Sequence, residues 1–246
     1  MKTLLIDGDV IAYRTACSID REGLVYTRIN AAFLAIQATY SSTEYRIFLT
    51  GKETTNFRKI INPAYKANRD QLEKPYWLPL CNAYLHEAWE AEYIQGAEAD
   101  DALGYFQTDN TVICTIDKDL NMIPGEHYNF VKDISYHIQP GEAIQFFYKQ
   151  MLIGDTSDNI QGVSKLGPVK ASKLIDPVEI EQEMFDIVYT KYNDPKRFVM
   201  NACCLWIQQQ KGIIWAQRSQ HLILPEECKQ EVAVILDCMN SSPINT

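Results

Sequence analysis

The run TVICTI, residues 111–116, is short, β-branched and free of polar interruption, and it ends in Asp117-Lys118-Asp119. Such a run reads as a strand buried on both faces, as in a parallel sheet covered by helices on each side. The segment before it, GAEADDALGYF, carries apolar residues at helical spacing from Glu98 to Phe106, with Glu98, Asp100 and Asp101 at its start. Acids at a helix start and just past a strand's carboxyl end lie on the edge where open α/β sheets bind ligands. An acidic first turn alone is ordinary, because carboxylates favour the positive end of a helix dipole. That accounts for Glu98 and Asp101 but not for Asp117 and Asp119. Nor does it account for LLIDGD at 4–9, with Asp7 and Asp9, or GDTSDN at 154–159, with Asp155 and Asp158, each beside an apolar run. Clustered carboxylates repel one another, and hard divalent cations with oxygen ligands neutralise them. The pattern predicts convergence on a metal centre.

The rest of the chain supports an alternating architecture. Thr3–Ile6 reads as a strand, Asp9 as a cap for a helix from Val10 to about Ser18, and INAAFLAIQATY as a helix from about Asn30. Tyr45–Thr50 reads as a strand, Trp77–Trp89 as a helix, Glu92–Gln95 and Tyr128–Val131 as strands, and Ala143–Ile153 as an amphipathic helix. Between them, GKETTNFRKIINPAYKANRDQLEKP has little apolar period and holds Lys52, Arg58, Lys59, Lys66, Arg69 and Lys74, with Phe57 and Tyr65 interleaved. Bases mixed with aromatics suit a nucleic-acid backbone and its end bases; a solvated basic loop is the plain alternative. Gly162–Pro168 reads as a tight turn opening a helix. Beyond about residue 142 the composition turns helical, which predicts domains at 1–142 and 143–246.

Composition sets the outer limits. Hydrophobic residues make up 46% and charged residues 22%, a globular profile, and no apolar run approaches the roughly 20 residues of a membrane span. Seven cysteines without CxxC spacing read as reduced thiols of a cytoplasmic protein, and four scattered histidines do not read as a metal set. A net charge of −9 argues against a nucleic-acid partner until the clustered acids are counted: Asp7, Asp9, Glu98, Asp100, Asp101, Asp117, Asp119, Asp155 and Asp158 carry as much charge themselves.

Four motifs in order, LLIDGD at 4–9, FRKIINPAYKANR at 57–69, GAEADD…TIDKDL at 96–120 and GDTSDNIQGVSKLGPVKA at 154–171, resemble those of the 5′-nuclease superfamily. That family includes phage 5′→3′ exonucleases, flap endonucleases and the 5′-nuclease domain of bacterial DNA polymerase I; the compact form looks closest to the phage enzymes. The resemblance covers residues 3 to about 175. It implies a PIN-like, resolvase-like parallel sheet between helices, with a C-terminal helical module carrying a helix–hairpin–helix. It implies two or more Mg²⁺ or Mn²⁺ ions, the first held by Asp7, Glu98, Asp100, Asp101 and Asp117, the second by Asp117, Asp119, Asp155 and Asp158. Lys66 and Arg69 would meet the scissile phosphate, and Tyr65 would stack on a terminal base. Arg58, Gly162, Lys165, Gly167 and Lys170 would hold the nucleic acid. The implied activity is hydrolysis of phosphodiesters near 5′ ends of double-stranded DNA or flaps, with an RNA–DNA hybrid as an alternative substrate, by a monomer in the cytoplasm, the host's if phage-encoded. A PIN-type ribonuclease and a DNA-binding protein without strong catalysis are the competing readings. Two departures stand out: Thr50-Gly51 replaces an aspartate common after the second strand, and Lys165 replaces the first glycine of the hairpin. The segment from Arg69 to Gly96 is also short for a helical arch.

Overall fold

The computed structural model describes residues 2–241. Its elements in chain order are β1 (Thr3–Asp7), α1 (Gly8–Cys17), α2 (Gly23–Tyr40), β2 (Tyr45–Thr50), α3 (Phe57–Ile61), α4 (Leu78–Trp89), β3 (Glu92–Ile94), α5 (Ala99–Phe106), β4 (Thr111–Cys114), β5 (Gly125–Asn129), β6 (Ile134–Ile138) and α6 (Pro140–Ile153). There follow β7 (Gly154–Asp155), β8 (Ile160–Gln161), α7 (Pro168–Ile175), α8 (Glu181–Tyr192), α9 (Pro195–Leu205), α10 (Trp215–Arg218) and α11 (Glu226–Asn240). They form two compact units. One comprises Met1–Glu53, Glu73–Ile138 and Gln209–Lys211; the other comprises Thr54–Leu72, Gln139–Gln208 and Gly212–Thr246. One break between the two units falls at Gln139. The basic segment 54–72, expected in the first domain, belongs to the second unit.

In the first unit a six-stranded sheet has the order β3-β2-β1-β4-β5-β6, parallel except for the antiparallel β5–β6 pair. Side chains alternate across a strand. Leu4 and Ile6, Ile47 and Leu49, and Val112 and Cys114 enter the core cluster that holds Ile11, Ile29, Phe33 and Leu85. Leu5, Phe48 and Ile113 between them are also buried, and Phe48 stacks on Phe106 of α5 at 5.5 Å. Both faces are covered, which explains why TVIC reads as continuous apolar sequence. Helix α2 begins at Gly23 rather than Asn30, because Val25 and Ile29 extend the buried stripe of Phe33 and Ile36 back across Thr27 and Arg28. Strand β6 was not evident in the sequence. It lies at the sheet edge, where ISYHI leaves most side chains to solvent and needs no apolar alternation.

The second unit is helical and aromatic. Phe198 of α9 makes edge contacts with Phe185 at 5.4 Å, Tyr192 at 5.3 Å and Trp215 at 5.5 Å. Arg58, expected to face nucleic acid, is 2% exposed: its Nε donates to the carbonyl of Cys204 at 2.8 Å and its Nη2 to that of Trp206 at 2.9 Å. Those carbonyls end α9 and lack partners within the helix, so the guanidinium serves as their cap. Cys203 and Cys204 are buried on α9, and the cysteines of the described residues are all free thiols. No helix among the described residues is long and apolar enough to cross a membrane.

Candidate active site

The first unit gathers its acids at the carboxyl edge of the sheet. Asp7 ends β1 and caps α1, a role the sequence suggested for Asp9: its Oδ1 accepts from the Val10 N–H at 3.0 Å. Its Oδ2 accepts from the Thr115 hydroxyl at 2.6 Å. Thr115 lies just beyond β4, and its Oγ1 in turn accepts from the Asp117 N–H at 3.0 Å. Asp117 then caps the 3-10 turn Lys118–Met122 through the Asp119 N–H at 2.9 Å. One threonine therefore sets the spacing of the two strand-end carboxylates. Asp7 is almost wholly buried, and its pKa rises to about 7 because burial opposes the charge; the Asp9 and, more weakly, Asp117 charges add to this, against the two hydrogen bonds.

Asp9 points to the end of β2, where both carboxylate oxygens accept from the Thr50 N–H at 3.1 Å. The Thr50 hydroxyl accepts from the Ala99 N–H at 3.0 Å, which ties the acidic start of α5 to the same strand end. There the Glu98 N–H donates to Asp101 Oδ2 at 3.0 Å, so Asp101, fully buried, is partly a cap as the ordinary reading held. Gly51 follows. A Cβ built on it would lie 2.4 Å from the Ile94 carbonyl oxygen, so β3 leaves no room there for the aspartate that the resemblance implies. Thr50 and Thr115 were missed in the sequence. Their only signal was a hydroxyl residue within two positions of a strand end, next to acids or glycine.

Among the described residues, no three His, Cys, Asp or Glu side chains are gathered closely enough to enclose an ion by themselves. The donor set still fits a hard divalent cation. It is oxygen only, it includes in Asp7 a buried carboxylate whose charge its surroundings oppose, and Mg²⁺ is typically held by one or two carboxylates with the remaining positions left to water and substrate phosphate. Asp7, Glu98, Asp100, Asp101, Asp117 and Asp119 are the residues that could hold it.

In the second unit the motifs YKANR and TSDN clasp each other. Asp158 accepts from the Tyr65 hydroxyl at 2.8 Å through Oδ2 and from Arg69 Nη2 at 2.7 Å through Oδ1, with Lys66 Nζ 3.8 Å away. Backbone contacts reinforce the pairing: Lys66 N–H donates to the Asp158 carbonyl at 3.0 Å and Arg69 Nε to that of Ser157 at 2.9 Å. Asp155 Oδ1 accepts from the Ser157 N–H and hydroxyl at 2.7 and 2.6 Å, which fixes the turn. Tyr65 is only 1% exposed, so it cannot offer a face to a terminal base; it supports Asp158 from within. Lys66 has a left-handed φ of 57° before the 3-10 turn Ala67–Arg69, and both bases turn to one carboxylate.

The hairpin follows β8. Gly162 is buried, and a Cβ there would lie 2.4 Å from Gly154 N and 2.5 Å from the Leu152 carbonyl oxygen, so this residue closes the hairpin instead of touching a ligand. Lys165 takes the left-handed conformation, φ 63°, where a glycine was expected, and its carbonyl accepts from Lys170 Nζ at 3.0 Å. Gly167 caps α7, and Lys165, Gly167, Val169 and Lys170 are exposed. The segment between Arg69 and Gly96 builds α4 and β3, and Cys81 and Leu85 of α4 are in the core.

No protein-family model matches the chain. It is 24% identical over 225 residues to the 5′-3′ exonuclease of Buchnera aphidicola subsp. Schizaphis graminum, covering 81% of this chain and 78% of that one. It is 23% identical over 232 residues to the 5′-3′ exonuclease of Mycoplasma genitalium, covering 78% and 76%. Among solved structures, the bacteriophage T5 D15 protein co-crystallised with metal ions aligns with a TM-score of 0.65 at 17% identity, over 97% of this chain and 99% of that one. The T5 D15 flap endonuclease in a pseudo-enzyme-product complex with DNA and metal ions aligns with a TM-score of 0.62 at 17% identity, over 98% and 100%. The class is thus a mixed, mainly parallel sheet nuclease fold with acids along its carboxyl edge. More specifically, the chain has the fold of the T5 D15 protein, and over most of its length it is similar to curated 5′-3′ exonucleases.

Proposed function

We propose that this chain is a divalent-metal-dependent 5′→3′ exonuclease with flap-endonuclease capacity, hydrolysing phosphodiesters near 5′ ends of double-stranded DNA. One observation carries the reading: Thr115 ties the Asp7 carboxylate to the backbone N–H of Asp117 at adjacent strand ends, with the Asp9 charge beside them. Asp7, Glu98, Asp100, Asp101, Asp117 and Asp119 hold the metal, Mg²⁺ or Mn²⁺. When bound, such ions activate water and stabilise the leaving oxygen of an in-line displacement.

The chain's own groups have separate tasks. Thr115 and the N–H groups of Val10 and Asp119 hold the carboxylates in fixed rotamers, so little reorganisation is needed on loading. Asp158 holds Arg69 and Lys66 together as a pair of positive charges for the phosphates of the substrate strand. The exposed turn Ser164–Lys170 meets the duplex backbone through main-chain N–H groups and lysines, without reading sequence. An RNA–DNA hybrid is a second substrate on the same chemistry, and the protein works as a cytoplasmic monomer. The test is cleavage of end-labelled 5′-flap, blunt and RNA-primed duplexes in Mg²⁺, Mn²⁺ and EDTA. Short products from the 5′ end, abolished by EDTA, support the reading. Intact substrate under every metal condition, with DNA still bound, sinks it in favour of a binding protein.

A further inference from the structure

The end of β4 and the β5–β6 hairpin frame a cleft of about 280 Å³ in the first unit, with Asp117 on its wall. Lys118 and Lys132 flank it, and among the described residues neither ammonium is held by an ion pair. The two amides that line it have committed their oxygens. Asn129 Oδ1 accepts from the N–H groups of Val131 and Lys132 at 3.2 and 2.9 Å, and Asn121 Oδ1 accepts from the Tyr136 hydroxyl at 3.1 Å. That leaves the NH₂ of each amide as the donor it has to offer. Apart from Asp117, the polar character left to the cleft is that of a donor set, two ammoniums and two amides. Ile116 and Ile134 add apolar wall, and Ile134 is 51% exposed.

The turn that carries Lys132 is built to hold it. Asn129 fixes the backbone of Val131 and Lys132, and Asp133, at φ 54°, accepts from the Tyr128 hydroxyl at 2.9 Å. A cleft with two ammoniums and apolar sides matches a singly charged phosphodiester with its sugar.

We propose that this cleft is a phosphodiester subsite, which holds a linkage of the substrate strand neighbouring the one that is cut, with Lys132 and Lys118 as its anchors. The proposal rests on the nuclease reading above, since a cation on Asp117 removes the one charge in the cleft that would repel phosphate. It places strand-tracking contacts on the hairpin, which none of the four sequence motifs contains.

The test uses the full chain and an end-labelled duplex with a 5′ overhang, with Ca²⁺ replacing Mg²⁺ so that binding is read without cleavage. Lys132→Ala and Lys118→Ala are each expected to weaken binding severalfold and lower the salt slope by about one unit. Lys191→Ala, at the exposed end of α8, should leave both unchanged. A neutral methylphosphonate is then walked along the strand. At one linkage it should weaken the wild type as much as Lys132→Ala does, and leave that variant unaffected. A free 5′-mononucleotide should not remove the difference between wild type and variant; if it does, the cleft takes a terminal nucleotide and the strand assignment is wrong. Equal cost of every methylphosphonate in both proteins overturns the subsite alone, whereas a wild type that binds no DNA overturns the subsite and the nuclease reading together.

Discussion

The backbone N–H of Thr50 lies 3.1 Å from both carboxylate oxygens of Asp9. The same residue's hydroxyl accepts the first N–H of α5 at 3.0 Å, so β2 ends in a clip that holds two acidic helix starts. Thr50→Val keeps the N–H and the shape but removes the hydroxyl. The loss of a cap of this kind costs about 1 kcal/mol. Mn²⁺ affinity, followed by EPR, should fall with stability in Thr50→Val, while Thr50→Ser should restore both. A Thr50→Val protein with wild-type Mn²⁺ binding would remove the clip from the account of the site.

Asp7 carries a cost that a bound cation would relieve. Its pKa moves from the usual 3.8 to about 7, chiefly by burial. The folded protein therefore binds the Asp7 proton more tightly than the unfolded chain. Stability is intact below about pH 4, falls as pH rises through 7, and the full penalty, about 4 kcal/mol, is present above that. In EDTA, Asp7→Asn should be more stable than wild type by up to this amount at pH 8, and by nothing near pH 4. Nuclease activity should be lost at every pH. Urea denaturation across pH checks the sign; an Asp7→Asn protein less stable than wild type at pH 8 would contradict the burial argument.

Lys66 and Lys52 separate catalytic charge from general charge in the basic stretch. Lys66→Ala should lower single-turnover cleavage at saturating enzyme by about 10²-fold, the loss typical of one preorganised positive donor. Lys52→Ala should change affinity slightly and rate hardly at all. Similar rates for the two variants would mean that Lys66 has no special role.

Tyr65 and Arg58 should both behave as structural residues. Tyr65→Phe leaves the Asp158 carboxylate short of a hydrogen bond and should cost about 1–3 kcal/mol. Arg58→Ala strips two buried carbonyls at the end of α9 and should cost roughly 3 kcal/mol in a urea melt. At a temperature where both variants are folded, their salt slopes for DNA binding should match wild type. A slope reduced by about one unit in Arg58→Ala would show that this guanidinium meets phosphate after all.

The sequence by itself determined the strands TLLID, YRIFLT and TVIC, the helices behind them and the acids that end the first and follow the third. Burial on both faces of a sheet writes itself into a few consecutive residues, and acids lie at or within three positions of the ends of TLLID and TVIC. It did not reveal β6, whose edge position asks for no apolar pattern. Nor did it separate the bases of one short stretch: Arg58 and Lys66 look alike in sequence, yet one lies in the core and the other beside Asp158. The partners decide this, and they are far along the chain. Arg58 finds its carbonyl at Cys204, Tyr65 its carboxylate at Asp158, and Asp7 its hydroxyl at Thr115. Local composition fixes whether a segment can be buried. Which donor meets which acceptor is settled only when the chain closes long loops, and that choice is what tertiary structure made for Tyr65, Arg58, Thr50 and Thr115.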